Sequence, residues 1–253
     1  MLEIIWVLTL CYLSLFFLSL KIKDNSIVDI FWGTGFVIVA IMLFFQQNNI
    51  NIYEIIFMIL FSFWWMRLTY HIGKRKLYVS WEDSRYAVWR KEWTYFKIRS
   101  FFQVFVLQAI LLLLISTALF VIFSSGISGN IFTYFGIISM IVWLWYEIIS
   151  DIQLKQYIVS KFEKNKIFSW GLYKYSRHPN YLWESIFWLG ISIISLQNSV
   201  FGMISFLIIT GLLLFVSWVP LKEERYKKKD NWEEYSKNTP KFIPNFFKQK
   251  NTD

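Results

Sequence analysis

An all-α membrane protein of about seven transmembrane helices, with its N-terminus outside and its C-terminus cytoplasmic, is predicted by three features of this sequence. They are long apolar runs, a shortage of charge, and basic residues gathered into alternate loops. Of the 253 residues, 56% are hydrophobic, 21% aromatic and only 17% charged, with a mean hydropathy of +0.43. A soluble domain carries about 25% charged residues, and disordered, collagen-like and disulfide-rich chains are excluded by the same composition. Cys11, the single cysteine, lies inside the first apolar run and has no partner for a disulfide or a zinc site.

A helix needs about 20 mostly apolar residues to cross about 30 Å of hydrocarbon. Seven segments approach this length: 2–20, 27–45, 51–72, 102–123, 131–149, 181–197 and 200–219. The last two are joined by a turn at Gln197, Asn198 and Ser199, which suits an antiparallel pair. The first follows Met1 without a basic leader and is expected to be a retained helix rather than a signal peptide. Orientation follows from lysine and arginine, which stay cytoplasmic: residues 21–26 hold two, 73–99 eight, 150–180 six and 222–253 nine, while 46–50, 124–130 and 198–199 hold none. The formal charge of +9 is mostly this topology plus attraction to anionic headgroups, and no nucleic-acid partner is expected. No repeat or Gly/Ser linker divides the chain, so residues 1–253 are expected to form a single integral membrane domain, multi-pass.

A charged residue at the centre of a span costs roughly 2.5–3.5 kcal/mol, so each needs a partner, a wet cavity or a function. Six ionisable residues fall within the spans: Asp29, Glu54, Arg67, His71, Glu147 and Glu184. Glu54 lies near an outer helix end and is expected to reach the headgroups. The other five lie near cytoplasmic ends, where they either snorkel and pair structurally or define one polar pocket. Arg67 and His71 share a helix face at spacing four, with Tyr70 as an alternative proton donor to His71. The only other histidine is His178, and no metal is expected.

Three polar stretches follow. Ser80-Trp81-Glu82-Asp83-Ser84-Arg85-Tyr86, continued by Arg90, is either a solvated loop or an aromatic lid. Glu147, Asp151 and Lys155 recur at spacing four, which ion pairing alone would explain. Gly171-Leu172-Tyr173-Lys174-Tyr175-Ser176-Arg177-His178-Pro179-Asn180-Tyr181 leads into an apolar helix, with Pro179 tolerated at its first turn. Free amides and nearby cations there favour a phosphate or carboxylate, the alternative being a structural cap with headgroup anchors. No Walker loop, Gly-x-Gly-x-x-Gly fingerprint or Gly-x-Ser-x-Gly elbow is present.

The stretch Tyr175-Ser176-Arg177-His178-Pro179-Asn180-Tyr181-Leu182-Trp183-Glu184 resembles the signature of the steroid 5-alpha-reductase C-terminal superfamily, and the chain is similar to its bacterial multi-pass branch, a domain of unknown function. The resemblance extends to Asp29-Ile30-Phe31-Trp32-Gly33, Arg67-Leu68, Glu82-Asp83-x-Arg85-Tyr86, Glu147…Asp151-x-Gln153, Glu223-Glu224-Arg225-Tyr226, Glu234-Tyr235 and Ile243-Pro244. Its C-terminal part spans about 102–247. The resemblance implies a seven-helix bundle that binds NADPH on the cytoplasmic side and reduces a carbon–carbon double bond of an apolar enone or enoyl lipid, with membrane lipids around it and no obligate protein partner. It places Asp151, Asn180, Arg225 and Tyr235 on the dinucleotide, with Glu147, Tyr175, Arg177, His178 and Glu184 beside them. Asp29 and the Arg67/His71 face, with Tyr70, then stand for the catalytic acid and proton donor. Two departures are Trp183, where the family commonly has glycine, and Glu147, where eukaryotic reductases tend to carry asparagine. Isoprenylcysteine-carboxyl and phospholipid methyltransferases share a related element, so an S-adenosylmethionine-dependent methyltransferase is the alternative.

Overall fold

A computed structural model of the chain describes residues 1–78, 82–160 and 166–245, with the side chains of 71, 72, 75–78 and 160 outside that description. The described residues form helices and no strand. Six helical stretches are long and apolar enough to cross a membrane: Leu2–Ile22, Ile27–Phe45, Ile52–Tyr70, Phe96–Ile115, Ile131–Val159 and Val200–Tyr226. The protein is therefore all-helical and multi-pass, and its described residues hold six such stretches where seven were expected. The segment expected at 181–197 is a helix of only 17 residues, Pro179–Ser195, about 25 Å long at about 1.5 Å per residue. Most of its residues are buried by protein. The run expected at 102–123 starts earlier, at Phe96, and is interrupted at Ser116, where ψ opens to 0°.

The chain divides into two compact units, Met1–Gly129 with Gln197–Gly202, and Asn130–Leu196 with Met203–Asp253. The first contains α1 (Leu2–Ile22), α2 (Ile27–Phe45), α3 (Ile52–Tyr78), α4 (Ser84–Glu92), α5 (Phe96–Ser100), α6 (Leu107–Ile115) and α7 (Thr117–Ser125), a π-helical stretch Phe101–Val106 linking α5 to α6. Its core is aromatic: Phe36 lies against Trp65 with ring centroids 4.6 Å apart, and Phe57 stacks on Phe61. Asp83 begins α4 as its N-cap, accepting the Arg85 backbone N–H at 3.0 Å.

Glu54 departs from its expected place at the headgroups. It is only 1% exposed, and its carboxylate accepts the backbone N–H of Asn51 at 2.9 Å and of Ile127 at 3.1 Å. The physical reason is the turn after α7, whose buried amides need acceptors. Asn51 and Asn198 complete the same staple by donating to the carbonyls of Ile127 and Gly126.

The second unit is built on α8 (Ile131–Ser160) and α9 (Pro179–Ser195), followed by α10 (Met203–Gly211), a π-helical stretch Leu212–Val216, α11 (Trp218–Tyr226) and α12 (Trp232–Asn238). α8 and α9 run antiparallel and cross closely: a Cβ on Gly136 would lie 2.6 Å from the Gly190 carbonyl oxygen, and one on Gly190 2.9 Å from that of Gly136. Small residues allow backbones this close inside a membrane. Pro179 opens α9 at the position where a missing N–H costs nothing.

Candidate functional site

In the first unit the polar block before α4 closes on Asp29. The Asp29 carboxylate accepts from the Arg85 guanidinium at 2.9 Å and from the Tyr86 hydroxyl at 2.9 Å. Gln108 donates to the Tyr86 oxygen at 3.2 Å and itself accepts from the Trp32 indole. Tyr86 is 2% exposed. Burial, and then the Asp29 charge, hold its phenol well above the usual range, against the pull of Arg85. It therefore stays protonated, with its one O–H donated to Asp29. Glu82 accepts from the Asn25 backbone N–H and from two nitrogens of Arg90. Of the two expectations for this block, solvated loop or lid, neither describes Glu82, Asp83, Arg85 and Tyr86, which bond inward to α2 and to one another; Ser80 and Trp81 lie outside the described residues.

Asp29 bonds Arg85 and Tyr86, and neither Arg67 nor Tyr70. Arg67 is half-buried on α3, whereas Tyr70 is 65% exposed, its ring flanked by the Lys74 ammonium. The His71 side chain lies outside the described residues. Tyr86, quoted in the sequence block but given no role, is thus the phenol that the fold brings to Asp29. Its signal was present in the sequence only as an aromatic next to an arginine.

In the second unit the signature loop is clamped by the C-terminal segment. Glu223 accepts from Arg177 with one oxygen at 2.8 Å and pairs with His178 Nε2 through the other, also at 2.8 Å. The His178 ring is fully buried between Tyr181 and Tyr226. Burial draws its imidazole below the ordinary value, while the hydrogen bond to Glu223 pulls it partly back. The neutral ring therefore donates Nε2–H to Glu223 and keeps Nδ1 as an acceptor. The backbone N–H of Arg177 donates to the Pro240 carbonyl at 3.0 Å, the Ser176 hydroxyl to Phe242 at 2.7 Å, and the Tyr235 hydroxyl to Tyr173 at 2.7 Å. Gln153, one helical turn past Ser150, accepts the Leu172 N–H at 2.9 Å and occupies the space beside Gly171, whose φ of +62° excludes most side chains.

The same loop leaves polar atoms unmet. Buried and without a hydrogen-bond partner among the described residues are Tyr173 Oη, Arg177 Nε, His178 Nδ1, Asn180 Oδ1, Trp183 Nε1 and Ser185 Oγ. Native proteins satisfy most buried polar atoms, so six within thirteen residues mark a surface completed by something other than these side chains. Both acceptors and N–H and O–H donors are represented, as a polar cofactor requires. Of the other expected residues, Glu147 is buried on α8, Asp151 and Tyr175 are half-buried, Tyr235 is buried and holds the Tyr173 carbonyl, and Arg225 is exposed on α11. Glu184 makes no hydrogen bond with any described residue. Glu223 is the residue the sequence reading missed as an anchor, although it lies in the block next to Arg225.

Among the described residues, no group of three histidine, cysteine, aspartate or glutamate side chains is arranged to hold a metal. No curated protein and no solved structure matches the chain. A family model described as "Protein of unknown function (DUF1295)" matches residues 15–239, nearly the whole length and both polar clusters, and the chain belongs to that family.

Proposed function

We propose that the protein is a membrane-embedded, NADPH-dependent reductase of a carbon–carbon double bond in an apolar enone or enoyl lipid, similar to the steroid 5-alpha-reductase superfamily. In this reading the C-terminus is cytoplasmic and the membrane is a bacterial inner membrane. The observation that carries the reading is the set of unmet buried polar atoms on the loop whose residues resemble the superfamily's dinucleotide signature.

The cofactor, when bound, supplies a hydride for the β-carbon of the conjugated system. This chain's residues do the rest. Asn180, Tyr173, Arg177 and His178 Nδ1 offer the donors and acceptors that hold a polar cofactor, and Glu223 with the strap around Pro240 and Phe242 keeps that loop in one conformation. Tyr86, rather than the exposed Tyr70, is the proton-giving group: its hydroxyl is held by Asp29 and Gln108, and it would turn its one O–H from Asp29 to a developing enolate oxygen, stabilise that oxygen and hand it the proton. Arg85 holds the Asp29 carboxylate when the hydroxyl turns away.

One observation favours a second reading. Glu184 beside stacked tryptophans would suit a sulfonium as well as a nicotinamide, which keeps an S-adenosylmethionine-dependent methyltransferase as the alternative. Thermal unfolding of the detergent-purified protein with NADPH, NADH and S-adenosylhomocysteine separates the two. Ligand at about 100 times its dissociation constant adds about 2.7 kcal/mol to stability. A shift with NADPH, followed by its consumption with an enone panel, is expected; a shift with S-adenosylhomocysteine alone overturns the reductase reading.

A further inference from the structure

α4 is a helix of nine residues, and a helix shorter than about 12–15 residues is marginal in water unless something packs on it. Among the described residues no other helix packs broadly on α4, which is tied down by side chains instead. Arg85 and Tyr86 reach Asp29, Glu82 accepts two nitrogens of Arg90, and the Ser26 hydroxyl accepts the Asp83 backbone N–H. At about 100° per residue, Arg85, Tyr86, Trp89 and Arg90 share one side of the helix, and the exposed Ser84, Val88 and Lys91 share the other. The chain then turns an elbow. Trp93 is extended, Tyr95 takes a left-handed φ of 57°, and a membrane-spanning stretch begins at Phe96. An aromatic shelf braces the turn: Trp89 stacks on Trp93 with centroids 4.8 Å and planes 10° apart, Trp93 meets Phe96, and the Arg90 guanidinium lies 4.2 Å from the centre of the Phe96 ring.

The outer face of this elbow mixes apolar groups with cations. Tyr95 is 78% exposed, Ile98 61% and Val88 47%. Lys91, Lys97 and Arg99 are exposed beside them, and their side chains form no ion pair or hydrogen bond with a described residue. Glu92 is the only acid in residues 88–99. A left-handed turn suits glycine at least cost, yet here it carries a tyrosine, whose exposed ring directly precedes the span. Tyrosine and tryptophan anchor where a bilayer meets water, and each lysine or arginine near an anionic leaflet strengthens attachment by about fivefold. We infer that the elbow from Val88 to Arg99 docks on the anionic phospholipid headgroups of the leaflet in which the Phe96 span begins, and that this contact supplies the support α4 lacks from other helices. The occupant is a lipid surface rather than a protein because the face is continuous with the span itself: Ile98 and Arg99 are exposed in its first turn. Arg85 and Tyr86 ride on α4, so leaflet charge governs how fully the Asp29 cluster assembles. The consequence for turnover rests on the reductase reading; the docking does not.

Amide hydrogen exchange of residues 84–92 tests it, on the full-length protein in nanodiscs of phosphatidylcholine alone or with about 30 mol% phosphatidylglycerol. Exchange in α4 is expected to slow by at least about fivefold with the anionic lipid, and the effect to shrink as salt is raised from about 50 mM to about 500 mM. Lys91→Gln, Lys97→Gln and Arg99→Gln made together are expected to abolish the lipid effect, whereas Lys91→Arg, Lys97→Arg and Arg99→Lys together keep it. Lys227→Gln with Lys228→Gln, two exposed cations after α11, is the control and is also expected to keep it. Equal exchange in the two discs, a lipid effect indifferent to salt, one that survives the triple glutamine variant, or one lost in the control overturns the docking. Should the triple glutamine variant fail to fold, as its melting would show, the wild-type lipid and salt responses decide. Enone reduction by the wild type is expected to rise with phosphatidylglycerol, and the rise to vanish in the triple glutamine variant. Turnover indifferent to lipid charge beside lipid-dependent exchange overturns the link to Tyr86 and keeps the docking; lipid-dependent exchange with no enone reduced overturns the reductase reading alone.

Discussion

The polar cluster of the first unit and that of the second handle the same problem in opposite ways. Asp29, Arg85, Tyr86 and Gln108 form a chain in which each group meets another, and Glu82, Asp83 and Arg90 extend it. The loop from Tyr173 to Ser185 is also held firmly, by Glu223 and by the strap at Pro240 and Phe242, yet six of its buried polar atoms meet nothing. On the proposed function, rigid backbone with unmet side-chain atoms would be the surface prepared for a ligand, and the closed chain the group held ready to act. Buried charge networks satisfied in the first manner are costly to break; unmet atoms in the second manner are costly only while the ligand is absent.

The comparison can be broken most directly at Glu223. Glu223→Ala strands Arg177 and His178 together, and a loss of about 3–5 kcal/mol in unfolding free energy is expected, along with loss of dinucleotide binding; denaturant or thermal melting with and without NADPH measures both. Truncation after Pro220 should have the same consequence for binding, since it removes most of α11, all of α12 and the strap. If a truncated protein still bound NADPH, the tail would be only a surface element.

Asp29→Asn is expected to lower reductase turnover by about a hundredfold, because an uncharged amide no longer orients the Tyr86 hydroxyl. Tyr86→Phe should lose a similar factor in turnover while costing only about 1 kcal/mol of stability. Tyr70→Phe, at an exposed position, should change neither. Steady-state assays with one enone substrate order the three, and an effect at Tyr70 exceeding that at Tyr86 would reverse the assignment of the proton donor.

A smaller effect sharpens the second half of the contrast. Asn180 Oδ1 has no donor to lose among the described residues, so Asn180→Ala should leave the unliganded stability within about 0.5 kcal/mol of wild type, while weakening cofactor binding by about tenfold. A fall in stability without a change in affinity would make Asn180 structural.

The smallest effect is a pH dependence at His178. Its folded-state pKa lies below the unfolded value, so the unfolded chain binds more protons as pH falls below about 6.5, and stability decreases on acidification through that range. His178→Asn should flatten the melting-midpoint profile between about pH 6.5 and 5. A profile that falls more steeply on acidification in the variant would mean that the ring is protonated in the folded protein, with the Glu223 contact a full ion pair, and an unchanged profile that its pKa is the same in both states.

Membrane character and helical class were legible from the sequence because they depend on composition and length: apolar runs of about 20 residues have few other folds open to them. The signature loop was legible for the same local reason, since Pro179, Asn180 and Glu184 lie within a few residues of one another. What pairs with what was not. Glu54 reads as a headgroup anchor until the Ile127 amide, 73 residues away, is seen to need it. Tyr70 lies at the end of an apolar run and Tyr86 in the charged block after it, and only packing shows that the first faces outward while the second reaches Asp29 across 57 residues of chain. Residues 181–197 are apolar enough to suggest another span, but apolarity does not say whether lipid or protein covers a helix, and α9 is covered mostly by protein. The sequence by itself determined that this chain is a bundle of apolar helices with charged residues that need partners, because that follows from transfer free energies summed along the chain. Only the tertiary structure decided which charges meet each other and which buried polar atoms find no partner among the described residues, because those contacts join residues tens of positions apart and depend on helix register and rotamer, which local composition does not encode.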